Sequence, residues 1–539
     1  MTRQTTIPVK LCLFIDGLDE YEGDDIDMAR LFQPVAALPH IKICASSRPH
    51  IVFLDAFHDC PNLRLEDLTV LDIQQFVSDR LVNDEGMQKL AFKEPRKASA
   101  LEQEIVTSAN GVFLWVKLVV ASLLNGILQH DRIADLQRRL RLLPKKLEQL
   151  YEHMVFKIDE VYEAEASQIF QIVDRSQSKD DDWTHVDPLT IFGLYMALEN
   201  DLNFAIVTQS GFLSPVEILS VCAEMQNKLR TRCGGLLEVS YPGNKISDAS
   251  DPPNLKVAYL HRTVRDFLLS QETRVVLANR TGGNTPDAFS ADISLLKSYL
   301  LQLKAQVHHP QSYRLLLDAA INHLLRVQIC ALYVPPSYVE EIWKATEGFN
   351  QDFSMNSRVS VSKHSSKFAL AAQCGLYEYL RSTLPGHPLQ VCRCPNSGRP
   401  LLDLVVSPTD QSVSFMNRTT VEVLLAHGAD PNDKYKGKSP WQNALLCLQE
   451  ERVRFIPGFP SNQKVEFGEI LKLLLQHKAD PKAIIIWNEK TLFPEDVISV
   501  TCRSWPVLQK ELLELLERNA SQTGKFKKMI SRIRLKKVS

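Results

Sequence analysis

The sequence has 539 residues, of which 45% are hydrophobic and 23% are charged, and its formal net charge is -2. A chain of this length exceeds what one hydrophobic core supports, so we expect roughly three or four domains. The near-zero charge excludes a global attraction to nucleic acid or to an anionic membrane, so any such contact must be local. We therefore expect no nucleic-acid partner.

The cysteines and the apolar segments indicate a cytoplasmic protein. The 11 cysteines are scattered and odd in number, which favours reduced thiols. Cys392 and Cys394 are the one close pair, and no second pair or histidine at ligand spacing accompanies them. Residues 1–10 contain no apolar signal segment, and the most apolar stretch, 112–124, is too short to span a membrane.

Residues 9–20 begin as an apolar run of strand length and end in carboxylates beside a glycine. This pattern predicts a buried parallel strand that delivers acids to the end of a sheet where α/β folds bind ligands. In phosphoryl-transfer proteins, such an aspartate holds Mg²⁺ and a neighbouring acid orients the attacking water. Asp16 fits the first role, and Asp19 or Glu20 fits the second. The alternative is a buried strand whose polar end only caps the next turn.

A helix and a second strand are predicted to follow. The acidic link 22–27 can cap a helix, and residues 41–45 have the pattern of a short strand that ends near Arg48. In a βαβ unit the two strands run parallel, so Arg48 would emerge at the same sheet end as Asp16. There Arg48 could contact a terminal phosphate through both guanidinium nitrogens, or it could pair with a nearby carboxylate.

Further along, the pattern changes from α/β to helical. Residues 62–65 predict a third short strand, and a helix is expected to begin near Asp72, with Gln75 at capping-box spacing. Its predicted buried face consists of Ile73, Phe76, Val77 and Leu81. From residue 101 onwards, a helix, the Asn110-Gly111 break and an apolar helix predict a small helical bundle.

Several of these segments together resemble a known family. They are Leu-Cys-Leu-Phe-Ile-Asp-Gly-Leu-Asp-Glu at 11–20, Lys-Ile-Cys-Ala-Ser-Ser-Arg-Pro at 42–49, Leu-x-x-Leu-Thr at 65–69, Ala-Asn-Gly-Val-Phe-Leu-Trp at 109–115 and Leu-Pro-Lys-Lys-Leu-Glu-Gln-Leu-Tyr at 143–151. In order and spacing they are similar to the NACHT module of fungal signal-transduction NTPases, relatives of animal NOD-like receptors, and to the segment that follows that module.

The resemblance implies a nucleotide site for ATP or GTP with Mg²⁺. It places Asp16 in the Walker B motif, where it would hold Mg²⁺ through water, and makes Asp19 and Glu20 the additional acids. Arg48 falls at the sensor-one position, which reads the state of the terminal phosphate. Gly111 matches the first residue of a Gly-x-Pro near the adenine, although this chain has Phe113 where the family has proline.

The phosphate-binding half of that site is missing from the sequence. The Walker A loop, G-x-x-x-x-G-K-[ST], must follow a strand upstream of Walker B, and the ten residues before Leu11 contain no glycine. Gly437-Lys438-Ser439 does not replace it, because Asn432 stands where the first glycine should be. We therefore expect an N-terminally truncated module with an incomplete nucleotide switch and no appreciable ATP hydrolysis.

Residues 151–285 combine helices with a predicted hairpin, whose strands lie at 233–239 and 255–260. With the following His-Arg-Thr-Val-Arg-Asp-Phe-Leu, they resemble the winged-helix part of the same family. The resemblance implies that His261 contacts the β-phosphate of bound ADP and holds a closed state. The alternative is that His261 caps the next helix.

From about residue 367, the sequence resembles ankyrin repeats. Two repeat endings, 421–432 and 470–481, are offset by 50 residues (477 minus 427), with 450–465 as the expected insertion. Such stacked helix pairs are suited to binding a protein partner on their concave side, and self-association is a further option. The alternative is an array that only caps the preceding domain.

The final segment, 521–539, carries seven basic residues and no acidic residue. Its apolar residues recur at helical spacing, so a basic amphipathic helix with weak contact to a membrane surface is one prediction. A solvated, disordered tail is the other.

The predicted fold is a multidomain α/β plus α chain: a partial P-loop-type parallel sheet, a helical bundle, a winged-helix domain and a C-terminal ankyrin-like helical solenoid. The predicted domains are 1–85 for the α/β core, 86–150 for a helical subdomain, 151–285 for the winged-helix-like domain, 286–366 for a helical linker region, 367–520 for degenerate repeats and 521–539 for the basic tail.

Three functions are consistent with this organisation. The first is a signalling or scaffold protein of the NOD-like receptor type that binds a protein partner through its repeats. The second is a Mg²⁺-dependent ATPase or GTPase switch, if a longer chain supplies the missing phosphate loop. The third is a purely structural ankyrin adaptor, which would be favoured if partner binding survived removal of the first ~280 residues.

Overall fold

The computed structural model describes most of the chain. The described residues are 10–21, 23–48, 50–178, 189–199, 201–240, 255–283, 285, 288–305, 310–330, 332, 334–347, 366–386, 393–394, 397–406, 417–449, 462–488, 490–503 and 505–535. They form a mostly helical, multidomain chain with three small two-stranded sheets. The chain divides into two compact units, Met1–Arg141 and Leu142–Ser539.

The first unit contains a βαβα module followed by helices. Its elements are β1 (Leu11–Ile15), α1 (Asp25–Ala36), β2 (Ile41–Ala45), α2 (Ile51–Ala56), α3 (Leu65–Leu68), α4 (Val70–Val77), α5 (Glu85–Lys93), α6 (Pro95–Ala109), α7 (Phe113–Leu128) and α8 (Ile133–Leu142).

The predicted βαβ unit is confirmed. β1 and β2 pair in parallel, in a register that runs from Leu11 opposite Ile41 to Ile15 opposite Ala45. The acidic cap of α1 is also present, because the Asp24 side chain accepts a hydrogen bond from the backbone N–H of Ile26 at 2.9 Å. The sequence pattern therefore located both strands and the crossover helix between them.

The prediction that β1 is buried was wrong. Leu18, Ala29 and Phe53 form a small core with Ile15 and neighbouring residues of α1 and α2, on one side of the two strands. Alternate strand residues point to opposite faces of a sheet. Cys12, Phe14 and Cys44 share the other face, and Phe14 is 81% exposed. Burial of a strand requires layers on both faces, and the described residues cover this sheet on one.

Two boundary predictions in this unit also need correction. Residues 62–64 form no strand because they pair with no strand of the described sheets, and α3 begins at Leu65. α4 begins at Val70, so Asp72 lies inside its first turn and does not cap it. The predicted buried face is confirmed, because Ile73, Val77 and Leu81 are buried and Phe76 is half-buried.

The helical part of the first unit follows the predicted pattern. α6 and α7 are separated by Asn110 and Gly111, which adopt left-handed φ values of 45° and 76°. Glycine reaches this region without strain, and asparagine reaches it more readily than most residues, which explains the break at this position. The helices bury a core that includes Leu101, Ile105, Trp115, Leu118 and Leu123.

The second unit begins with helices around a hairpin and continues as helices. Its elements are α9 (Leu147–Phe156), α10 (Glu160–Gln177), α11 (Ile191–Ala197), α12 (Phe204–Val207), α13 (Pro215–Arg232), β3 (Leu237–Ser240), β4 (Lys256–Tyr259), α14 (Arg262–Leu269), α15 (Gln271–Asn279), α16 (Ala291–Ala305), α17 (Pro310–Ile329) and α18 (Ser337–Glu347).

The predicted hairpin is confirmed, because β3 and β4 pair antiparallel with Leu237 opposite Tyr259. The loop that joins these strands, 241–254, lies outside the described residues. α16 packs against α10, α11 and α17, and its residues from Ser294 to Ala305 are buried. A helix that is buried all round forms the centre of its layer, so α16 organises this part of the unit.

The C-terminal part of the second unit consists of successive helix pairs. Its elements are α19 (Lys367–Gln373), α20 (Tyr377–Thr383), α21 (Leu401–Val406), α22 (Arg418–Ala426), α23 (Pro440–Gln449), α24 (Asn462–Gln476), β5 (Ile485–Trp487), β6 (Lys490–Leu492), α25 (Pro494–Thr501) and α26 (Pro506–Leu535).

These helices pack in two columns, which we call the helix-pair array. In one column α19, α21, α23 and α25 pack successively on one another, and in the other α20, α22, α24 and α26 do the same. Each pair therefore covers the apolar face that its neighbour leaves open. The predicted insertion at 450–465 lies largely outside the described residues, since α24 begins at Asn462.

Two further predictions concern the basic C-terminal tail and membrane-spanning helices. α26 runs to Leu535, so the described part of the basic tail is helical. Among the residues that the structure describes, no helix is both long and apolar enough to cross a membrane. The domain boundaries predicted within the second unit remain predictions.

Candidate functional site

The predicted nucleotide-site residues of the first unit lie where β1 and β2 end. Asp16 follows β1, and its carboxylate accepts a hydrogen bond from the Ser46 hydroxyl, which follows β2. Ser46 Oγ in turn accepts a hydrogen bond from the backbone N–H of Gly17 at 2.9 Å, and Ser46 O accepts one from the N–H of Leu18 at 2.9 Å. The two strand ends are thus locked together by Ser46, a role that the sequence reading had missed.

Arg48 and Asp19 form the second contact at this sheet end. Arg48 Nε lies 3.2 Å from Asp19 Oδ2, and the backbone N–H of Arg48 donates to Asp19 Oδ1 at 2.9 Å. Asp19 is nearly buried, with 4% of its side chain exposed. The structure therefore brings Arg48 to the predicted end of the sheet and shows the alternative that pairs it with a carboxylate. Glu20 lies in the turn after Asp19, and its side chain is outside the described part.

The N–H groups and the Asp19 carboxylate at this sheet end are engaged within the protein. The N–H groups of Gly17 and Leu18 both donate to Ser46, which fixes the turn after β1. Both oxygens of Asp19 contact Arg48, and the role of Asp19 in orienting a water stays a prediction. Within the described ranges, no group of three or more His, Cys, Asp or Glu side chains could hold a metal ion. Mg²⁺ in nucleotide sites is held by one or two carboxylates together with the substrate phosphates, so the Mg²⁺ role of Asp16 stays a prediction.

Gly111 joins two of the segments that carry the family resemblance. Its carbonyl accepts a hydrogen bond from the Thr69 hydroxyl at 2.8 Å, which links the Leu-x-x-Leu-Thr element to the start of α7. Phe76 and Phe113 pack edge to face nearby, with ring centroids 5.1 Å apart. Phe113 stands where the resembling family has proline, and it packs against Phe76 close to the hydrogen bond between Thr69 and Gly111.

His261 lies in the second unit and caps α14. Its Nδ1 accepts a hydrogen bond from the backbone N–H of Thr263 at 3.2 Å and lies 2.8 Å from Thr263 Oγ1. Thr263 Oγ1 is also 2.8 Å from the hydroxyl of Tyr151, which ties the start of α14 to α9. This geometry is the capping alternative, and the role of His261 at a nucleotide phosphate stays a prediction.

A largely buried polar cluster, which the sequence reading did not find, joins α10, α16 and α17. Asp292 of α16 accepts hydrogen bonds from Arg175 Nε at 2.9 and 3.1 Å, and Asp292 Oδ1 lies 3.0 Å from His323 Nδ1. Arg326 Nη1 stands 3.9 Å from the same oxygen. The His323 side chain is 1% exposed and stacks on Tyr299 with centroids 5.5 Å apart. We call Asp292, Arg175, His323 and Arg326 the Asp292 cluster.

Opposing effects set the charges of this cluster. Burial would raise the pKa of Asp292, but hydrogen bonds and charge from His323 and Arg175 hold it below its ordinary value. Burial lowers the pKa of His323, and the contact with Asp292 offsets this only in part. Near neutral pH the carboxylate is therefore ionised and the imidazole is neutral, so that Nδ1–H can donate to Asp292.

The His323 pKa gives a pH prediction for stability. Because the folded pKa lies below the ordinary 6.5, the unfolded chain binds the proton first on acidification. The contribution of the neutral His323 to stability is fully present above about pH 6.5 and decreases below that pH. The contribution of the Asp292 carboxylate is lost only at more acidic pH, below the ordinary pKa of an aspartate. Urea unfolding between about pH 7.5 and about pH 5.5 should show this loss, and His323→Gln should flatten it. Equal slopes in both proteins would contradict the prediction.

The helix-pair array has turns that repeat in atomic detail. His427 Nδ1 lies 2.8 Å from Val423 O, and His477 Nδ1 lies 2.9 Å from Leu473 O. After each histidine, Gly428 and Lys478 have left-handed φ values of 90° and 66°. Three residues after each histidine, an aspartate side chain then accepts a backbone N–H two residues later, at 2.8 and 2.9 Å. The two predicted repeat endings therefore share one backbone geometry.

Adjacent turns of the array are also bonded to each other. Asn432 Nδ2 donates to Lys478 O at 2.9 Å, and its Oδ1 accepts from the N–H of Asp480 at 2.8 Å. The indole of Trp441, which is fully buried, donates to Asp480 O at 3.0 Å. Side-chain amides that bridge backbone groups hold neighbouring turns at a fixed spacing, which makes this edge of the array a rigid surface.

Comparison with known protein families matches residues 157–313 to a domain of unknown function, DUF7791. The matched segment extends from the end of α9 into α17, and it contains Arg175 and Asp292 of the Asp292 cluster. It covers less than half of the chain. Comparisons with curated proteins and with solved structures gave no match.

Proposed function

We propose that this chain is a signalling or scaffold protein that resembles the NACHT and ankyrin type, and that it binds a protein partner through the helix-pair array. The observation that carries the proposal is the two-column packing of α19 to α26 with equivalent, mutually bonded turns. Such an array presents an extended surface, which suits a protein better than a small molecule.

The proposal assigns no nucleotide turnover to the first unit. Phosphoryl transfer depends on positioning and on electrostatic stabilisation of the phosphates, and the carboxylate of Asp19 is engaged with Arg48. We expect the purified chain to hydrolyse neither ATP nor GTP in the presence of Mg²⁺ above the rate of a buffer control. Measured turnover that is lost in Asp16→Asn and in Glu20→Gln would favour the NTPase switch instead.

The partner-binding claim is tested by capture with two matched variants. Each unit has a nearly or fully buried tryptophan, Trp115 in α7 and Trp441 in α23. Trp441→Ala loosens the array, and Trp115→Ala loosens the first unit. A partner captured by the unaltered chain should be lost with Trp441→Ala and retained with Trp115→Ala. The opposite pattern would place the binding surface in the first unit and contradict the proposal.

A further inference from the structure

Two neighbouring turns of the array carry a surface of mixed basic and apolar character. The turn before α23 contains Lys434, Lys436 and Lys438, and the segment between α24 and α25 contains Lys478, Lys482 and Lys490. All six side chains are exposed. We call the described residues of 430–438 and 478–493 the hairpin edge.

The backbone of the first turn fixes the position of Lys436 at its tip. Tyr435 and Lys438 exchange two backbone hydrogen bonds, of 2.8 and 3.1 Å, around Lys436 and Gly437, whose φ values are 50° and 84°. Two left-handed residues in a row form a tight two-residue hairpin turn. Lys436 therefore stands at the tip, with its ammonium 5.4 Å from the centre of the Tyr435 ring.

The second hairpin presents an apolar face beside the lysines. β5 and β6 pair antiparallel, with Ile486 opposite Thr491 and Ile485 opposite Leu492. Because side chains alternate between faces, Ile484, Ile486 and Phe493 share one face and Ile485 lies on the other. Ile485 is buried at 1% exposure, whereas the three residues of the outer face are 54%, 68% and 48% exposed.

The two turns form one continuous surface. Gln442 of α23 donates from Nε2 to Ile484 O at 2.7 Å, in addition to the bonds of Asn432 to Lys478 and Asp480. These bonds hold the basic first turn and the segment with the apolar face next to each other. An exposed apolar group rimmed by charge is the usual composition of a protein-binding surface.

The carboxylates within the hairpin edge are already engaged. Asp430 Oδ1 accepts from Asn432, Asp480 Oδ1 accepts from the N–H of Lys482, and Asp433 pairs with Arg393. Glu489 lies outside the described residues. The six lysines outnumber the three aspartates, so the described part of this edge has a net positive charge.

We propose that the hairpin edge binds an acidic protein segment that also carries apolar side chains, and this rests on the proposed function of the array. Ile484, Ile486 and Phe493 supply the apolar contact, and the six lysines supply complementary charge and faster association. A peptide can place its carboxylates against individual lysines and leave gaps at Asp430, Asp433 and Asp480. Nucleic acid and anionic membranes present densely spaced phosphates, which those aspartates repel.

The proposal is tested on the full chain by fluorescence anisotropy with a labelled synthetic peptide of mixed glutamate and leucine. Control peptides replace the glutamates by glutamine or the leucines by serine. We expect the first peptide to bind in a salt-dependent manner and each control peptide to bind more weakly. Lys436→Glu combined with Lys482→Glu should weaken binding at least roughly tenfold, and Ile486→Ser should weaken it several-fold.

Matched substitutions elsewhere on the second unit serve as controls. Lys145→Glu combined with Lys157→Glu, and Val207→Ser, change exposed residues outside the hairpin edge and should leave peptide affinity unaltered. All the variants change exposed side chains, so their folding should be preserved. Absence of peptide binding, or equal binding by the hairpin-edge variants, would overturn the proposal. Tighter binding of single-stranded DNA or of phosphatidylserine vesicles, lost in the same variants, would also overturn it.

This test separates the inference from the proposed function. If the partner captured by the array is lost with Trp441→Ala but is unaffected by Lys436→Glu combined with Lys482→Glu, the array binds proteins through another surface and only the inference fails. If Trp441→Ala leaves capture intact, the proposed function itself fails.

Discussion

Replacement of Asp292 by alanine is expected to lower the free energy of unfolding of the second unit by about 3–5 kcal/mol. The substitution leaves the buried or half-buried cations Arg175 and Arg326 without the carboxylate that they share, and it removes the acceptor for His323 Nδ1–H. Urea unfolding followed by circular dichroism measures the change. The loss should be large because removing one partner of a buried ion pair costs more than the pair itself contributes.

An exposed ion pair provides the control for the Asp292 substitution. Arg381 and Glu378 of α20 pair at 2.9 Å, and more than half of each side chain is exposed. Glu378→Ala should change the free energy of unfolding by at most about 1 kcal/mol. Similar effects of Asp292→Ala and Glu378→Ala would contradict the view that the Asp292 cluster holds α10, α16 and α17 together.

Replacement of Trp441 by alanine should destabilise the helix-pair array by about 3–5 kcal/mol. The indole is fully buried between neighbouring turns and donates a hydrogen bond to Asp480 O. Truncation therefore creates a cavity and leaves a backbone carbonyl without this donor. Chemical unfolding, monitored by the far-ultraviolet circular dichroism of the helices, measures the loss.

A conservative variant separates the two contributions of Trp441. Trp441→Phe keeps most of the packed volume but removes the indole N–H, so it should cost about 1–3 kcal/mol. A loss of less than about 1 kcal/mol in Trp441→Ala would mean that adjacent turns are not joined through this residue, and it would contradict the description of the array as one rigid surface.

Local patterns predicted those parts of the fold that depend on neighbours in sequence. The parallel pairing of β1 and β2 followed from two apolar runs joined by one helix. The break at Gly111 and the hairpin of β3 and β4 followed from residues that favour turns. The equivalence of the turns at His427 and His477 followed from an internal repeat, because the same short sequence forms the same hydrogen bonds twice.

The parts that the sequence did not predict depend on contacts between distant segments. The exposure of Phe14 depends on which layers cover the sheet, and an apolar strand has the same sequence whether it is covered on one face or two. The Asp292 cluster joins residues of three helices, Arg175 and Asp292 are 117 positions apart in sequence, and no spacing rule connects them. The sequence left two alternatives open for both Arg48 and His261, and the structure shows that Arg48 pairs with Asp19 and that His261 caps α14.

The central claim is that the chain works by binding a protein through the helix-pair array. Cross-linking of the unaltered chain to a captured partner, followed by mass spectrometry of the linked peptides, tests it most directly because no variant needs to fold. The account predicts that the links fall on α19 to α26 and concentrate at the lysines of the hairpin edge. Links confined to residues 10–141 or to the DUF7791 segment would contradict it.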